Sequence, residues 1–150
     1  MAGSLTNYGE KLAMNILFRK GMAAPGGSPT SAPDGASGLY IGLAKGTITE
    51  TNILTTQVTE VTDANYHRQH FTFTEPVEDV TGYAVVKNAA DIQFGPWAAG
   101  EGTAITYCFI TDAQNGSGNI LAYMSLDASK TPASGDMLVF YADGLAFSID

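Results

Sequence analysis

At 150 residues, with 45% hydrophobic and 10% aromatic content, the chain is long and apolar enough to bury about 70% of the surface its unfolded form exposes. Fifteen acidic residues against seven basic ones leave a net charge of −8, which excludes the clustered cationic surface that nucleic acid or an anionic membrane requires. The single cysteine, Cys108, excludes an intrachain disulfide, and a charged fraction of 15% leaves the polar surface to Thr, Ser, Asn, Gln and Gly, as in a turn-rich β-protein or one packed on neighbours.

In chain order, Leu5, Tyr8, Leu12, Ala13 and Ile16 recur at the 3–4 spacing of one helical face, widened by Met14 and Phe18. Asn7 followed by Glu10 is a variant capping box with Ser4 as a competing cap, and Gly21 follows Arg19 and Lys20, cations suited to a helix C-terminus. The spacing predicts a helix over 5–20. So apolar a face needs cover, either from the protein's own sheet or from a partner, which makes Tyr8, Leu12 and Ile16 candidate contact residues. Glu10 and Lys11 interrupt the apolar positions, so this is no secretory signal, and no run of 18 apolar residues follows to cross a membrane. Folding in a reducing cytoplasm is expected.

Residues 22–38 hold three of the six prolines and four glycines without periodicity, and read as a connector. From 39 the chain turns to short β-runs: 39–44 (LYIGLA), 67–73 (HRQHFTF), 83–88 (YAVVKN), 90–94 (ADIQF), 104–111 (AITYCFIT), 119–126 (NILAYMSL), 136–142 (DMLVFYA) and 145–150 (LAFSID). The Thr-rich 47–65 is a loop or an irregular strand near 57–61. About eight closely spaced strands predict a mainly β fold, an antiparallel sandwich or jelly roll with one N-terminal helix, built as one domain over 1–150 with its β body at 39–150.

Sites for chemistry are sparse. Asp112-Ala-Gln-Asn115-Gly116-Ser-Gly118-Asn119 carries acid, amide and glycine between two apolar runs, but a calcium loop starting at Asp112 would place Tyr123 where its closing Glu belongs. Asn115-Gly116 instead marks a hairpin turn pairing 105–111 with 120–126. His67 and His70, three apart on a strand, point to opposite faces and cannot share a metal. Cys108 lies within an apolar strand and reads as a buried, inert thiol. No G-x-S-x-G elbow or phosphate loop is present, and Glu75, Glu78 and Asp79 read as a solvated acidic turn. Hence no enzyme, no cofactor and no metal are expected. Trp97, between Gly95-Pro96 and a second Gly-rich turn, either closes the end of the core or offers a platform for a sugar or a subunit.

The order of these segments resembles a family of small bacteriophage virion structural proteins of the tail-fibre-like type. The matching parts are the helix LTNYGEKLAMNIL, the strand LYIGL, the stretch NYHRQHFTF, the run AADIQFGPW, the hairpin FITDAQNGSGNILAYMSL and the closing SGDMLVFYADGLAFSI; at Tyr66-His67-Arg68 the family more often has Tyr-Ala-Arg. The resemblance implies a non-enzymatic virion component, in the tail, neck or fibre or attached to the capsid. Its partners would be copies of itself and other virion proteins, not nucleic acid or membrane. The alternative is a carbohydrate-binding module that recognises host surface glycans through Trp97 or Tyr123.

Overall fold

Period-two alternation and turn residues act where the sequence places them: all eight expected strands form. The computed structural model describes residues 4–5, 39–74, 77–78 and 84–148. The strands are β1 (Ser4–Leu5), β2 (Leu39–Lys45), β3 (Thr59–Glu60), β4 (Gln69–Phe71), β5 (Val77–Glu78), β6 (Ala84–Lys87), β7 (Ile92–Phe94), β8 (Ile105–Thr111), β9 (Ile120–Lys130), β10 (Leu138–Phe140) and β11 (Ala146–Ser148), with one 3-10 turn at Thr55–Gln57. The expected helix over 5–20 meets one correction: Leu5 lies in β1, opposite Ala122 of β9. Tyr8, Leu12 and Ile16, with the connector 22–38, lie outside the described residues.

Every pairing among the described residues is antiparallel, as expected of short strands joined by tight turns. The largest sheet runs β1-β9-β8-β2-β3, and β4 also pairs with β2; β10-β7 and β11-β6-β5 form two smaller sheets. β3 and β4 share β2, β4 lying along residues 39–41 and β3 along 44–45. The hairpin read from Asn115-Gly116 is present, with Thr111 opposite Ile120 and Tyr107 opposite Ser125. Gly116 takes φ of +63°, the left-handed conformation for which the turn selects glycine.

Alternation splits the apolar residues of the large sheet between two clusters. Ile41 and Leu43 of β2, Cys108 and Ile110 of β8 and Met124 of β9 pack with Ile92 and Phe94 of β7 and Phe140 of β10 in the main core. Ala44, Phe109 and Ile120 join Ile48 in a second cluster. Central strands buried on both faces read as continuous apolar runs, which is why ITYCFI shows no clean alternation. Burying each large side chain contributes roughly 1.5–3 kcal/mol, so the main cluster is the chief source of stability. Gly42 sits opposite Phe109 in the ladder, and a Cβ at Gly42 would come within 2.4 Å of the ring. The glycine is there because the phenyl ring lies over it.

Candidate functional site

Two charged networks and two apolar patches are the features of the described residues that packing alone does not explain. The first network centres on Arg68, which is 6% exposed. Its Nε and one terminal nitrogen grip both oxygens of Glu60 at 2.9 and 2.8 Å, and it donates to the carbonyls of Ala113 at 2.9 Å and Gly116 at 3.0 Å. The guanidinium also stands 5.7 Å from the centre of the Phe109 ring. Tyr66 donates to Glu60 at 2.7 Å and accepts from the Leu43 amide at 2.8 Å. Burial, then the neighbouring Glu60 carboxylate, raise the Tyr66 phenol well above its ordinary pKa, so it stays a donor. Tyr66 and Arg68, two apart in an extended stretch, thus hold one carboxylate and tie it to the hairpin tip.

The tip is held from other sides as well. Asp112 accepts from the Asn119 amide and its side-chain nitrogen, both at 2.7 Å. Thr55 donates its hydroxyl to Gly116 O at 3.0 Å and accepts from Gly118 N at 2.9 Å. The stretch that looks like a ligand loop therefore spends its acid and its amide on closing itself.

In the second network two loops exchange carboxylates. Asp63 accepts from the amides of Asn65, Ala98, Ala99 and Gly100 at 2.9–3.1 Å. Glu101 returns the arrangement, accepting from Thr62 N and Asp63 N at 3.1 Å each and from Lys45 Nζ at 3.0 Å. The backbone donors of Ala98, Ala99 and Asn65 pull the Asp63 carboxyl down from 3.8 to about 2.

Trp97 follows from this clasp. It is 2% exposed, with Tyr66 stacked on it at 6.2 Å, and its Nε1 has no partner among the described residues. Of its two readings, burial favours closing the core over an open platform for a sugar: Trp97 belongs to the main core, and the amides of Ala98, Ala99 and Gly100 just after it are held by Asp63. Tyr123 is half-buried beside Tyr107, ring centres 6.3 Å apart. Cys108 is buried, and burial pushes its thiol up to about 12. Both histidines are exposed: His70 packs edge-on to Tyr40 at 5.7 Å, and His67 precedes β4. Glu78 lies in β5 rather than in a plain turn, and Glu75 and Asp79 lie outside the described residues.

Four large apolar side chains stay exposed among the described residues. Ile53 and Leu54, 43% and 39% exposed, stand beside the hairpin tip, where Ile53 O accepts from Ile120 N at 3.2 Å. Met137 and Tyr141, 51% and 71% exposed, flank β10. A family model described as Podophage GP4 fiber I protein gp80 matches residues 4–148. The chain belongs to this family. The match spans the β body as far as residue 148 together with the segment before it, so the resemblance to tail-fibre-like phage proteins holds at family level. A search of curated proteins finds no match. Within a fibre-protein family the two networks take on a plain meaning: they fix the loops that frame the surface of the gp80-like body.

The Arg68 and Asp63 networks are not visible in the sequence, since Arg68 meets partners 8, 45 and 48 residues away. The available signal is that few residues in this chain are charged, so an arginine between strand-forming residues needs an acid.

Proposed function

We propose that the protein is a non-enzymatic structural subunit of a phage fibre, carried on the virion and acting through contacts with copies of itself and with other virion proteins. Family membership over residues 4–148 supports the virion role. The observation that carries the reading furthest is how the acids are used. Glu60, Asp63, Glu101 and Asp112 all hold loops by accepting hydrogen bonds from backbone or side-chain donors. Carboxylates so engaged are structural: general acid–base work needs a carboxyl poised near neutral pH, and Asp63 is driven the opposite way. Exposed Ile53, Leu54, Met137 and Tyr141 supply apolar contact area on otherwise fixed loops.

Light scattering of the purified chain at two concentrations tests this. A discrete oligomer that survives dilution is the expected result. A monomer at both concentrations would remove contacts between copies from the reading.

A further inference from the structure

The turn between β8 and β9 is pinned at some residues and left open at others. Arg68 holds the carbonyls of Ala113 and Gly116, and Thr55 holds the Gly118 amide. Between these anchors Gln114, Asn115 and Ser117 are exposed. Neither the Asn115 side-chain amide nor the Gly116 N–H has a partner among the described residues. A Cβ built on Gly116 would meet nothing within 4 Å, so the space around this nitrogen is open. Gly116 takes φ of +63°, and without a Cβ that angle turns at little cost. The peptide plane between Asn115 and Gly116 therefore swings toward the Asn115 side chain while the Gly116 carbonyl keeps its donors.

We propose that Asn115–Gly116 is a site of spontaneous covalent modification, at which the chain loses the Asn115 side-chain amide and the hairpin tip becomes a mixture of aspartate and isoaspartate. The co-reactant is water. The Gly116 nitrogen gives its proton to solvent and bonds to Asn115 Cγ; the Cγ–Nδ2 bond breaks, and the amide leaves as ammonia. The product is a cyclic imide. Water then adds to one of its two carbonyls. Opening at Cγ gives aspartate, and opening at the main-chain carbonyl leaves Gly116 attached through Cγ, as isoaspartate.

The fold selects this pair over its rivals. Asp143–Gly144 has the same sequence pattern and is exposed, but the Gly144 amide donates to Tyr141 O at 2.9 Å and the Asp143 amide to Asn88 O at 3.0 Å. Asn119 spends its side-chain nitrogen on Asp112 and precedes a β-branched isoleucine, and Asn88 is buried with its side chain fully bonded. The isoaspartate product also bears on stability. It adds a carbon to the main chain just before Gly116, a lengthening of about 1.5 Å. Gly116 O accepts from Arg68 and from the Thr55 hydroxyl at 3.0 Å each, bonds that a displacement of that size takes out of range. Modification at the tip thereby loosens one anchor of the Arg68 network.

The test is to age the folded full-length chain in mildly alkaline buffer, digest it, and locate the change by tandem mass spectrometry. An isoaspartyl methyltransferase with labelled methyl donor counts the isoaspartate. The expected result is conversion at Asn115, with Asn88, Asn119 and Asp143 unchanged, and none at residue 115 in Asn115→Gln, which keeps an amide at an exposed position but closes a less favourable ring. Conversion that occurs only in the urea-unfolded chain, or that falls on the other residues first, would overturn the site. Urea unfolding then reads the consequence: the aged chain should have a lower midpoint than the fresh one. Fresh Asn115→Asp carries the new charge without the added carbon and should keep the wild-type midpoint. An aged chain with an unchanged midpoint, or an equal loss in fresh Asn115→Asp, would overturn the effect on the Arg68 anchor.

Discussion

Replacing Arg68 with methionine should be among the most damaging single substitutions outside the apolar core. The change removes four hydrogen bonds, two to Glu60 and one each to the carbonyls of Ala113 and Gly116. The arginine side chain is 5% exposed and that of Glu60 23%, so the carboxylate left behind rehydrates only in part. Breaking such a pair from one side costs about 3–5 kcal/mol, and each carbonyl left without a donor adds up to about 1–3 kcal/mol where water cannot reach it. Gly116 is exposed and recovers a water, which keeps the total near 3–5 kcal/mol. For a chain of this size that lowers Tm by about 6–20 °C. Urea unfolding followed by Trp97 fluorescence reads the loss as a lower midpoint at unchanged slope. Adding Glu60→Gln to Arg68→Met should restore part of the stability, because the amide keeps a bond with Tyr66 without a stranded charge. A loss below about 1 kcal/mol, or strict additivity of the two changes, would refute the buried clamp.

Two further outcomes follow from the same geometry. Gly42→Ala forces a methyl group into the Phe109 ring, whose carbon would lie 2.4 Å away, and should cost about 1–3 kcal/mol in thermal unfolding; wild-type stability in that variant would show that Phe109 moves aside freely. Asp63, lowered from 3.8 to about 2, stabilises the fold fully above pH 4 and loses that contribution as pH falls toward 2, so the stability gap between wild type and Asp63→Asn should shrink over that window. A gap that stays constant down to pH 2 would contradict the clasp.

How much of this was legible in the sequence depends on the range over which each feature acts. The eight strands and the Asn115-Gly116 hairpin rest on neighbours a few residues apart, and the structure places all of them. Of the two readings of 47–65, loop or irregular strand near 57–61, a two-residue strand forms there as β3, and β5, two residues long inside an acidic stretch, is too short for alternation to show. Trp97 admits two readings from sequence, because its burial depends on the stretch of Asp63 and Tyr66, which meets it from a distant part of the chain. The use of Arg68 depends on Ala113 and Gly116, 45 and 48 residues later, a distance at which no local pattern operates. Exposed Met137 and Tyr141 sit in DMLVFYA, where sequence shows an apolar run but not which strand of a sheet lies outermost.

The most direct measurement is quantitative mass spectrometry of purified particles of the phage that carries the protein, with isotope-labelled peptides from the β body as standards. The account predicts the chain in a fixed number of copies per particle, retained through density-gradient purification. Its absence from particles that are otherwise intact and infectious would contradict a structural role on the virion.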